Sequence, residues 1–171
     1  HANILTNGEG PYELTALCDI DRQGLSDQAE RLGLRAETQA KQLVKRDDVD
    51  PVVIATPHPL HADHAEMAAD AGKHVLTEKP LAHTPGDARR LLKALKRNHR
   101  IGGIHYQNRA RPIMLKTKEI LDSGALGDLL AVRVTGSYYK SDYYYSLGGW
   151  RGMWRDEGGA TLINQAPHDI D

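Results

Sequence analysis

The sequence predicts an α/β fold: a parallel sheet of the nucleotide-binding type, with its first strand missing, followed by an α/β unit with a mostly antiparallel sheet. Between Tyr12 and His105, short apolar runs alternate with segments of helical length, as in right-handed βαβ units. After Arg109 the alternation stops, and Leu129–Thr135 alternates apolar and polar residues as an antiparallel strand does. These observations divide the chain into residues 1–108 and 109–171.

The first predicted elements are a strand over Tyr12–Cys18 and a polar helix over Arg22–Leu32. The helix has Leu25 and Ala29 on one side together with Leu32, and Gly33 ends it because glycine adopts the left-handed conformation of a C-terminal cap. Thr38 is placed to cap a short helix that runs through Val44.

The next four elements repeat the strand and helix pattern. The apolar run Val52–Ala55 predicts a strand buried on both faces, and Gly72 ends a helix over Ala62–Ala71. Val75–Thr77 is the next predicted strand. Thr84 and Pro85 then begin a helix that runs to about Asn98, and Ile101–His105 is a further strand.

The second unit begins with a predicted helix over Pro112–Leu121, which Ser123-Gly124 ends. The strand Leu129–Thr135 follows, and then a Tyr-, Gly- and Trp-rich stretch over residues 138–155 that has no clear period. Gly158-Gly159 begins a final helix, on which Asn164 and His168 lie four residues apart and therefore on one face.

Both ends of the sequence fall inside apparent helices. Residue 1 is His rather than Met, Ala2–Leu5 has the pattern of the end of a helix, and Asp171 lies within the final helix. We interpret the chain as an internal fragment of a longer protein.

The composition excludes several classes of partner. The formal net charge is −1 and no basic stripe is present, which argues against nucleic acid. No apolar run approaches the roughly 20 residues that cross a membrane. Cys18 is the only cysteine, so no internal disulfide can form, and a reducing compartment such as the cytoplasm is expected.

Polar residues follow the predicted strands at the edge where open α/β sheets bind ligands. Asp19 ends the first visible strand, where an acid in a dinucleotide fold bonds the adenosine ribose and repels a 2′-phosphate. It therefore favours NAD, while nearby Arg22 keeps NADP possible. The alternative is a turn aspartate beside Asp21.

Ala55-Thr56-Pro57 ends the second run and is followed by His58, His61 and His64. Histidines at this spacing can share a metal, but no acidic or cysteine partner stands at a recognisable spacing and a proline interrupts the set. We therefore predict no metal and a loop that lines the nicotinamide side of a cleft, with His61 at a helix start.

Glu78-Lys79-Pro80 follows a buried strand. A solvated surface turn is one interpretation; the other is a catalytic lysine, because burial readily shifts the pKa of lysine and the ammonium can donate to a substrate oxygen. Pro80 would hold the loop through a cis bond. Asn108 and Arg109 lie in a polar segment after the next strand, and are either donors facing the cleft or a plain linker.

Lysine, amide and imidazole together suit proton transfer to or from an alcohol or carbonyl. Lys79, Asn164 and His168 are therefore the predicted catalytic set, with Gln165 beside them. Aromatic residues such as Trp154 suit stacking on a sugar ring, but equally a core or an interface.

These segments, in this order, resemble the glucose–fructose oxidoreductase / inositol dehydrogenase / rhizopine catabolism (Gfo/Idh/MocA) family over essentially the whole chain. The matching segments are Cys18–Asp21, Ala55–Pro57 with His61, Ala71–Val75 leading into Glu78–Pro80, Gln107–Arg109, Ser123–Gly127 and Gly158–His168. Each is weak alone, whereas the ordered set is specific.

The resemblance implies a Rossmann-type domain that binds NAD, with NADP as the alternative, and a second domain whose sheet often forms the interface of a dimer or tetramer. It implies hydride transfer between nicotinamide and a sugar, cyclitol or nucleotide-sugar carbon. His168 would be the base, Lys79 would bond the same oxygen, and Asn164 would orient the substrate or His168. The residues that the resemblance implies for cofactor binding are Asp19, Ala55, Thr56, Pro57, His61, Glu78, Lys79, Pro80, Asn108 and Arg109. Those that it implies for substrate binding are Lys79, Arg109, Trp154, Asn164, Gln165 and His168.

The sequence departs from the family pattern in three places. The G-x-G-x-x-G phosphate loop is not in the sequence. Ala160 stands where a third glycine is common, and Asn164 where many members carry Asp. The alternatives are a dinucleotide-binding homologue without turnover and a redox-assisted glycosidase, which would release a leaving group without net consumption of NAD.

Overall fold

The computed structural model describes residues 1, 11–147 and 149–171 of the chain. Within them it is a mixed α/β structure with parallel strands, as the sequence predicted. The helix end predicted at residues 2–5 lies outside the described residues.

The strands form two parallel groups. β1 (Ala16–Cys18) pairs with β2 (Arg35–Glu37), and the second group has the order β3 (Pro51–Ile54), β4 (His74–Glu78), β5 (Gly102–His105). β1 is shorter than predicted, and β2 was missed because Arg35-Ala36-Glu37 has no apolar run.

The helices of the first unit connect these parallel strands. α1 (Arg22–Leu32) begins where the Asp21 side chain accepts a hydrogen bond from the amide of Gly24 and ends at Gly33, whose φ is 67°. The remaining helices are α2 (Ala40–Leu43), α3 (His61–Asp70) and α4 (Pro85–Arg97). Thr84 caps α4 by accepting from the amide of Asp87, as predicted, whereas Thr38 does not cap α2 because the backbone stays extended through Gln39.

The core lies where α3 and α4 pack on the three-stranded sheet. Alanines on α3 are completely enclosed, and small side chains let a helix approach a sheet closely. Leu91 on α4 and Val75 on β4 are buried in the same cluster. This packing holds β4 in the middle of its sheet, so that whatever follows β4 emerges at the carboxyl edge.

The second unit differs most from prediction. It begins with α5 (Pro112–Asp122), close to the predicted helix, but the predicted strand Leu129–Thr135 is wrong: these residues form neither helix nor strand, and Leu130 is 94% exposed. A strand needs a neighbour for its backbone hydrogen bonds, and within the described residues none pairs here. The predicted antiparallel sheet is therefore not confirmed.

The final predicted helix is divided in two. After α6 (Asp142–Ser146) and α7 (Trp154–Glu157), the chain forms α8 (Ala160–Asn164) and α9 (Pro167–Ile170). The division follows from Pro167, which has no amide hydrogen to donate, while Gln165 and Ala166 both donate to Thr161. Asn164 and His168 thus lie on consecutive short helices. Among the described residues, no helix is long and apolar enough to cross a membrane.

Candidate active site

Lys79 lies at the carboxyl edge of the sheet, directly after β4. Val75 and Thr77 bury one face of β4, and the strand pairs with β3 on one side and β5 on the other before the chain reaches Lys79. The Lys79–Pro80 peptide bond is cis, as the sequence analysis predicted. Because β3, β4 and β5 are parallel, the residues after β3 and β5 lie at the same edge as Lys79.

The ammonium of Lys79 contacts Asn164, which is 85 positions later in the chain. Lys79 Nζ donates to Asn164 Oδ1 at 2.8 Å and also to the Asn164 backbone carbonyl. Asn164 itself is buried, with 8% of its surface exposed. The first unit and α8 therefore meet through two of the three residues that the sequence analysis named as catalytic.

A buried carboxylate lies behind Asn164. Asn164 Nδ2 donates to Glu157 Oε1, and Glu157 Oε2 accepts from the amide of Gly152 at 3.0 Å. Glu157 is 4% exposed, and its backbone carbonyl accepts from His58 Nδ1 at 3.1 Å. The sequence analysis missed Glu157, for which the only signal was an acid directly before Gly158-Gly159.

His168 is close enough to Lys79 for their charges to interact. Burial lowers the pKa of His168, and the positive charge of Lys79 lowers it further. Its ring contacts Tyr106 edge to face at a centroid distance of 6.1 Å. His168 Nδ1 is buried and has no hydrogen-bond partner among the described residues, so the ring has an unused nitrogen.

Burial also lowers the pKa of Lys79 from that of a free lysine. The negative charges of Glu78 and Glu157 oppose this shift, and the positive charge of Lys140 adds to it. The site thus contains a lysine and a histidine whose pKa values are both displaced toward neutral or acidic pH, which is typical of proton-transfer sites.

The histidines after β3 hold the loops at the sheet edge. His61 is fully buried, and its ring nitrogens lie 2.7 Å from the Pro80 carbonyl oxygen and 2.8 Å from the Thr56 carbonyl oxygen. His58 packs edge to face on Trp150, and His64 contacts the Thr56 hydroxyl. The ring of His61 therefore ties the Thr56 loop to the Lys79–Pro80 turn.

Glu78 is held by its neighbours on the same edge. Its Oε1 lies 3.0 Å from His105 Nδ1 and 2.5 Å from His1 Nε2, and its Oε2 accepts from the amide of Lys79 at 3.3 Å. The Glu78 side chain thus fixes the turn from which Lys79 projects.

Arg109 forms a bidentate ion pair with Asp171. Arg109 Nε and a terminal nitrogen donate to the two Asp171 oxygens at 2.7 and 2.5 Å. Tyr138 donates to Asp169 at 3.0 Å, so α9 is bound from two sides. These contacts were not foreseen, because the partners are about 30 and 60 residues apart in sequence.

Asp19 directly follows β1, in the two-stranded group, and lines a groove of about 540 Å³. The groove is lined by Asp19, Gly24, Gln28 and Arg31 among others, and the side chain of Asp19 accepts from the amide of Asp21 at 3.0 Å. Asp19 is exposed at the end of β1, and within residues 11–147 and 149–171 its second carboxylate oxygen has no hydrogen-bond partner.

The other predicted site residues are placed as follows. Ala55, Thr56 and Pro57 form the loop after β3, and Asn108 lies in a short 3₁₀ helix after β5, at the same edge. Gln165 directly follows α8 and is partly exposed. Trp154 is 78% exposed, which leaves its ring open to stacking.

Comparison with known protein families accounts for this arrangement. Residues 1–106 match the oxidoreductase family with an NAD-binding Rossmann fold, and residues 114–171 match the GFO/IDH/MocA C-terminal domain. The chain belongs to the GFO/IDH/MocA oxidoreductase family. The resemblance stated from the sequence is thereby confirmed, and so is the Rossmann-type fold of the first unit.

Two curated relatives indicate the range of the family. The 1-carboxy-3-chloro-3,4-dihydroxycyclohexa-1,5-diene dehydrogenase of Comamonas testosteroni is 36% identical over 160 residues, 93% of this chain and 40% of the relative. The inositol 2-dehydrogenase of Salmonella typhimurium is 31% identical over 144 residues, 82% of this chain and 42% of the relative. The chain thus spans about two fifths of the length of these relatives.

A solved structure shows the same fold. The WlbA dehydrogenase of Bordetella pertussis, determined in complex with NADH and UDP-GlcNAcA, has a TM-score of 0.91 and 29% identity. The match covers 99% of this chain and 52% of the WlbA chain. Both units of this chain therefore have counterparts in one dehydrogenase.

Proposed function

We propose that the protein is an NAD-dependent oxidoreductase that transfers a hydride between nicotinamide and a hydroxyl-bearing carbon of a sugar, cyclitol or nucleotide sugar. The observation that carries this proposal is the contact between Lys79 and Asn164, with His168 beside them, at the carboxyl edge of a parallel sheet. Family membership and the dehydrogenases among its relatives support it.

The residues of the first unit fit a dinucleotide. The exposed carboxylate of Asp19 borders a groove, and such a group accepts hydrogen bonds from ribose hydroxyls and disfavours a 2′-phosphate. The loop Ala55–Pro57, the turn Glu78–Pro80 and Asn108 follow β3, β4 and β5 at the carboxyl edge of their sheet. We therefore propose NAD rather than NADP, bound along this edge.

The proposed mechanism assigns one task to each polar side chain. His168 takes the proton of the substrate hydroxyl, because burial and the charge of Lys79 keep its imidazole neutral near pH 7. Lys79 donates a hydrogen bond to the same oxygen and stabilises its developing negative charge. Asn164 holds the lysine in place. Bound nicotinamide supplies the chemistry of accepting or returning the hydride.

The substrate class follows from the groups around Lys79 and from the relatives. Trp154 is an exposed ring of the kind that stacks on sugars, and Gln165 can bond hydroxyls. Arg109, although paired with Asp171, lies at the same end of the sheet. We propose that these three residues contact a polyhydroxylated substrate together with Lys79, Asn164 and His168.

The proposal includes the organisation of the molecule. We place the boundary between the two units near residue 109, a position supported by the family matches that end at residue 106 and begin at residue 114. We propose a dimer or tetramer, which is supported by exposed apolar side chains at Leu130, Val132 and Val134 in the second unit. A cytoplasmic location is proposed on the strength of the single cysteine.

The test is an assay of the complete polypeptide that contains these residues. Sugars, cyclitols and nucleotide sugars are screened for reduction of NAD, followed by NADH absorbance, and glycosides are screened for release of the leaving group. Reduction of NAD with at least one polyol is the expected result. Leaving-group release without net NADH would instead support the redox-assisted glycosidase, and NADH binding without any turnover would support the non-catalytic homologue.

A further inference from the structure

Glu157 is a buried carboxylate with an unusual set of partners. Both of its oxygens accept hydrogen bonds, Oε1 from the Asn164 side chain and Oε2 from the amide of Gly152. Only 4% of the residue is exposed. A buried carboxylate is costly unless it is fully bonded, and neither Arg nor Lys contacts it directly in the described part of the chain. Its position therefore calls for an explanation beyond packing.

The partners on the two sides of Asn164 determine which way its amide faces. An ionised carboxylate only accepts hydrogen bonds, and a lysine ammonium only donates them. Glu157 on one side therefore requires the Asn164 NH₂ group, which leaves Oδ1 toward Lys79. With the amide turned over, an oxygen would face the carboxylate and an NH₂ group would face the ammonium, so two contacts would be repulsive.

We propose that Glu157 is a positioning residue for the reaction: it fixes the orientation of the Asn164 amide, and the amide in turn holds Lys79 where it meets the substrate oxygen. This inference deepens the proposed function and rests on it. Glu157 does not touch the substrate in this scheme and acts only through Asn164.

The same carboxylate also acts on Lys79 through its charge. Glu157 and Glu78 raise the pKa of the lysine against the lowering effect of burial, whereas Lys140 lowers it. His58 and His168 also lie within electrostatic range of Lys79. Neutralising Glu157 therefore lowers the pKa of Lys79, and this consequence can be measured without any substrate or cofactor.

The test is a swap of functional groups between two positions. Glu157→Gln adds an NH₂ group that must face either Gly152 or Asn164, both of which are donors. Asn164→Asp places a second carboxylate against Glu157. The double variant Glu157→Gln/Asn164→Asp restores every bond, because Gln donates to Asp and accepts from Gly152, while the total charge is unchanged.

Three readouts are measured for each variant of the complete polypeptide: kcat, NADH affinity, and the pKa of Lys79 by NMR of ¹³C-labelled lysine in the cofactor-free protein. Asp156→Asn is the matched control, since Asp156 lies next to Glu157 on α7 but pairs with the exposed Arg155. We expect the control to match the wild type in all three measurements.

We expect each single variant to lose kcat by about tenfold or more, with NADH affinity changed less than about threefold. In Glu157→Gln the pKa of Lys79 should fall by about 0.5 or more. The double variant should regain kcat to within about fivefold of the wild type. Its Lys79 pKa should rise above that of Glu157→Gln, because a carboxylate now contacts the ammonium.

The inference is overturned if Glu157→Gln keeps wild-type kcat and an unchanged Lys79 pKa, or if the double variant folds but regains nothing over the single variants. If a single variant does not fold, the double variant alone tests the inference. The inference then requires that the double variant folds and catalyses the reaction. Should the wild type lack activity, the proposed function fails, while the Lys79 pKa still reports separately whether Glu157 acts on the lysine.

Discussion

Lys79 and Asn164 form a two-point contact that joins the Rossmann-type unit to α8. The ammonium donates to both the side-chain oxygen and the backbone carbonyl of one residue, so it is held in direction as well as in distance. A lysine at a sheet edge is normally mobile. Here its position is set by a buried amide, as the proposed mechanism requires of a donor that would meet a substrate oxygen in one geometry.

Replacement of this lysine should abolish catalysis but leave cofactor binding. We expect Lys79→Ala to lower kcat by at least about 100-fold, since the donor that stabilises charge on the substrate oxygen is lost. NADH affinity, measured by fluorescence titration, should stay largely unchanged. Lys93→Ala, an exposed lysine on α4, is the matched control. Unchanged turnover in Lys79→Ala would remove the proposed role of this residue.

The pH dependence of kcat/KM for alcohol oxidation should follow a bell-shaped curve. His168 must be neutral to accept a proton, and burial together with the charge of Lys79 lowers its pKa below 6.5. Activity should therefore rise with pH along an acidic limb whose midpoint lies below 6.5. Lys79 must be protonated to donate a hydrogen bond, and burial lowers its pKa below 10.5. Activity should therefore fall with rising pH along an alkaline limb whose midpoint lies below 10.5.

The assignment of these limbs can be checked by substitution. In His168→Asn the acidic limb should disappear together with most of the activity, and the alkaline limb should remain. An acidic limb that survives this substitution with its midpoint unchanged would show that another group accepts the proton.

Cofactor preference should depend on Asp19. Its carboxylate borders the groove at the end of β1, where, in the proposed function, it would repel a 2′-phosphate. We expect Asp19→Ala to shift the ratio of kcat/KM for NAD and NADP by about tenfold toward NADP, as measured by initial rates with each cofactor. Asp47→Ala, an exposed aspartate elsewhere in the first unit, should leave the ratio unchanged. An unaltered ratio in Asp19→Ala would indicate that Asp19 is only a turn residue and does not contact the cofactor.

The stability of the first unit should depend strongly on which leucine of α4 is replaced. Leu91 is 1% exposed and belongs to the core cluster, whereas its neighbour Leu92 is 54% exposed. Leu91→Ala should lower the free energy of unfolding by about 2–5 kcal/mol through lost burial and a cavity. Leu92→Ala should change it by less than about 1 kcal/mol. Urea titration followed by circular dichroism measures both, and equal effects would contradict the described packing.

Local signals in the sequence were sufficient for most of the first unit. The helix Arg22–Leu32 was predicted with its observed bounds, and the cap at Thr84 was correct, because capping and periodicity depend on residues only a few positions apart. β2 was missed because its residues have no strand pattern and pair only through the tertiary fold. The strand over Leu129–Thr135 was predicted from alternation alone, which does not supply a pairing partner.

For the site, the sequence by itself determined which residues are the candidates: a lysine after a buried strand, and an asparagine and a histidine near a glycine pair. It also determined the family, because the order of the short motifs along the chain is specific. What only the tertiary structure decided is the set of contacts across long separations in sequence, namely Lys79 with Asn164, Asn164 with Glu157, and Arg109 with Asp171. Local patterns carry information over a few residues, whereas the direction of a buried amide or ammonium depends on the donors and acceptors that folding brings to it.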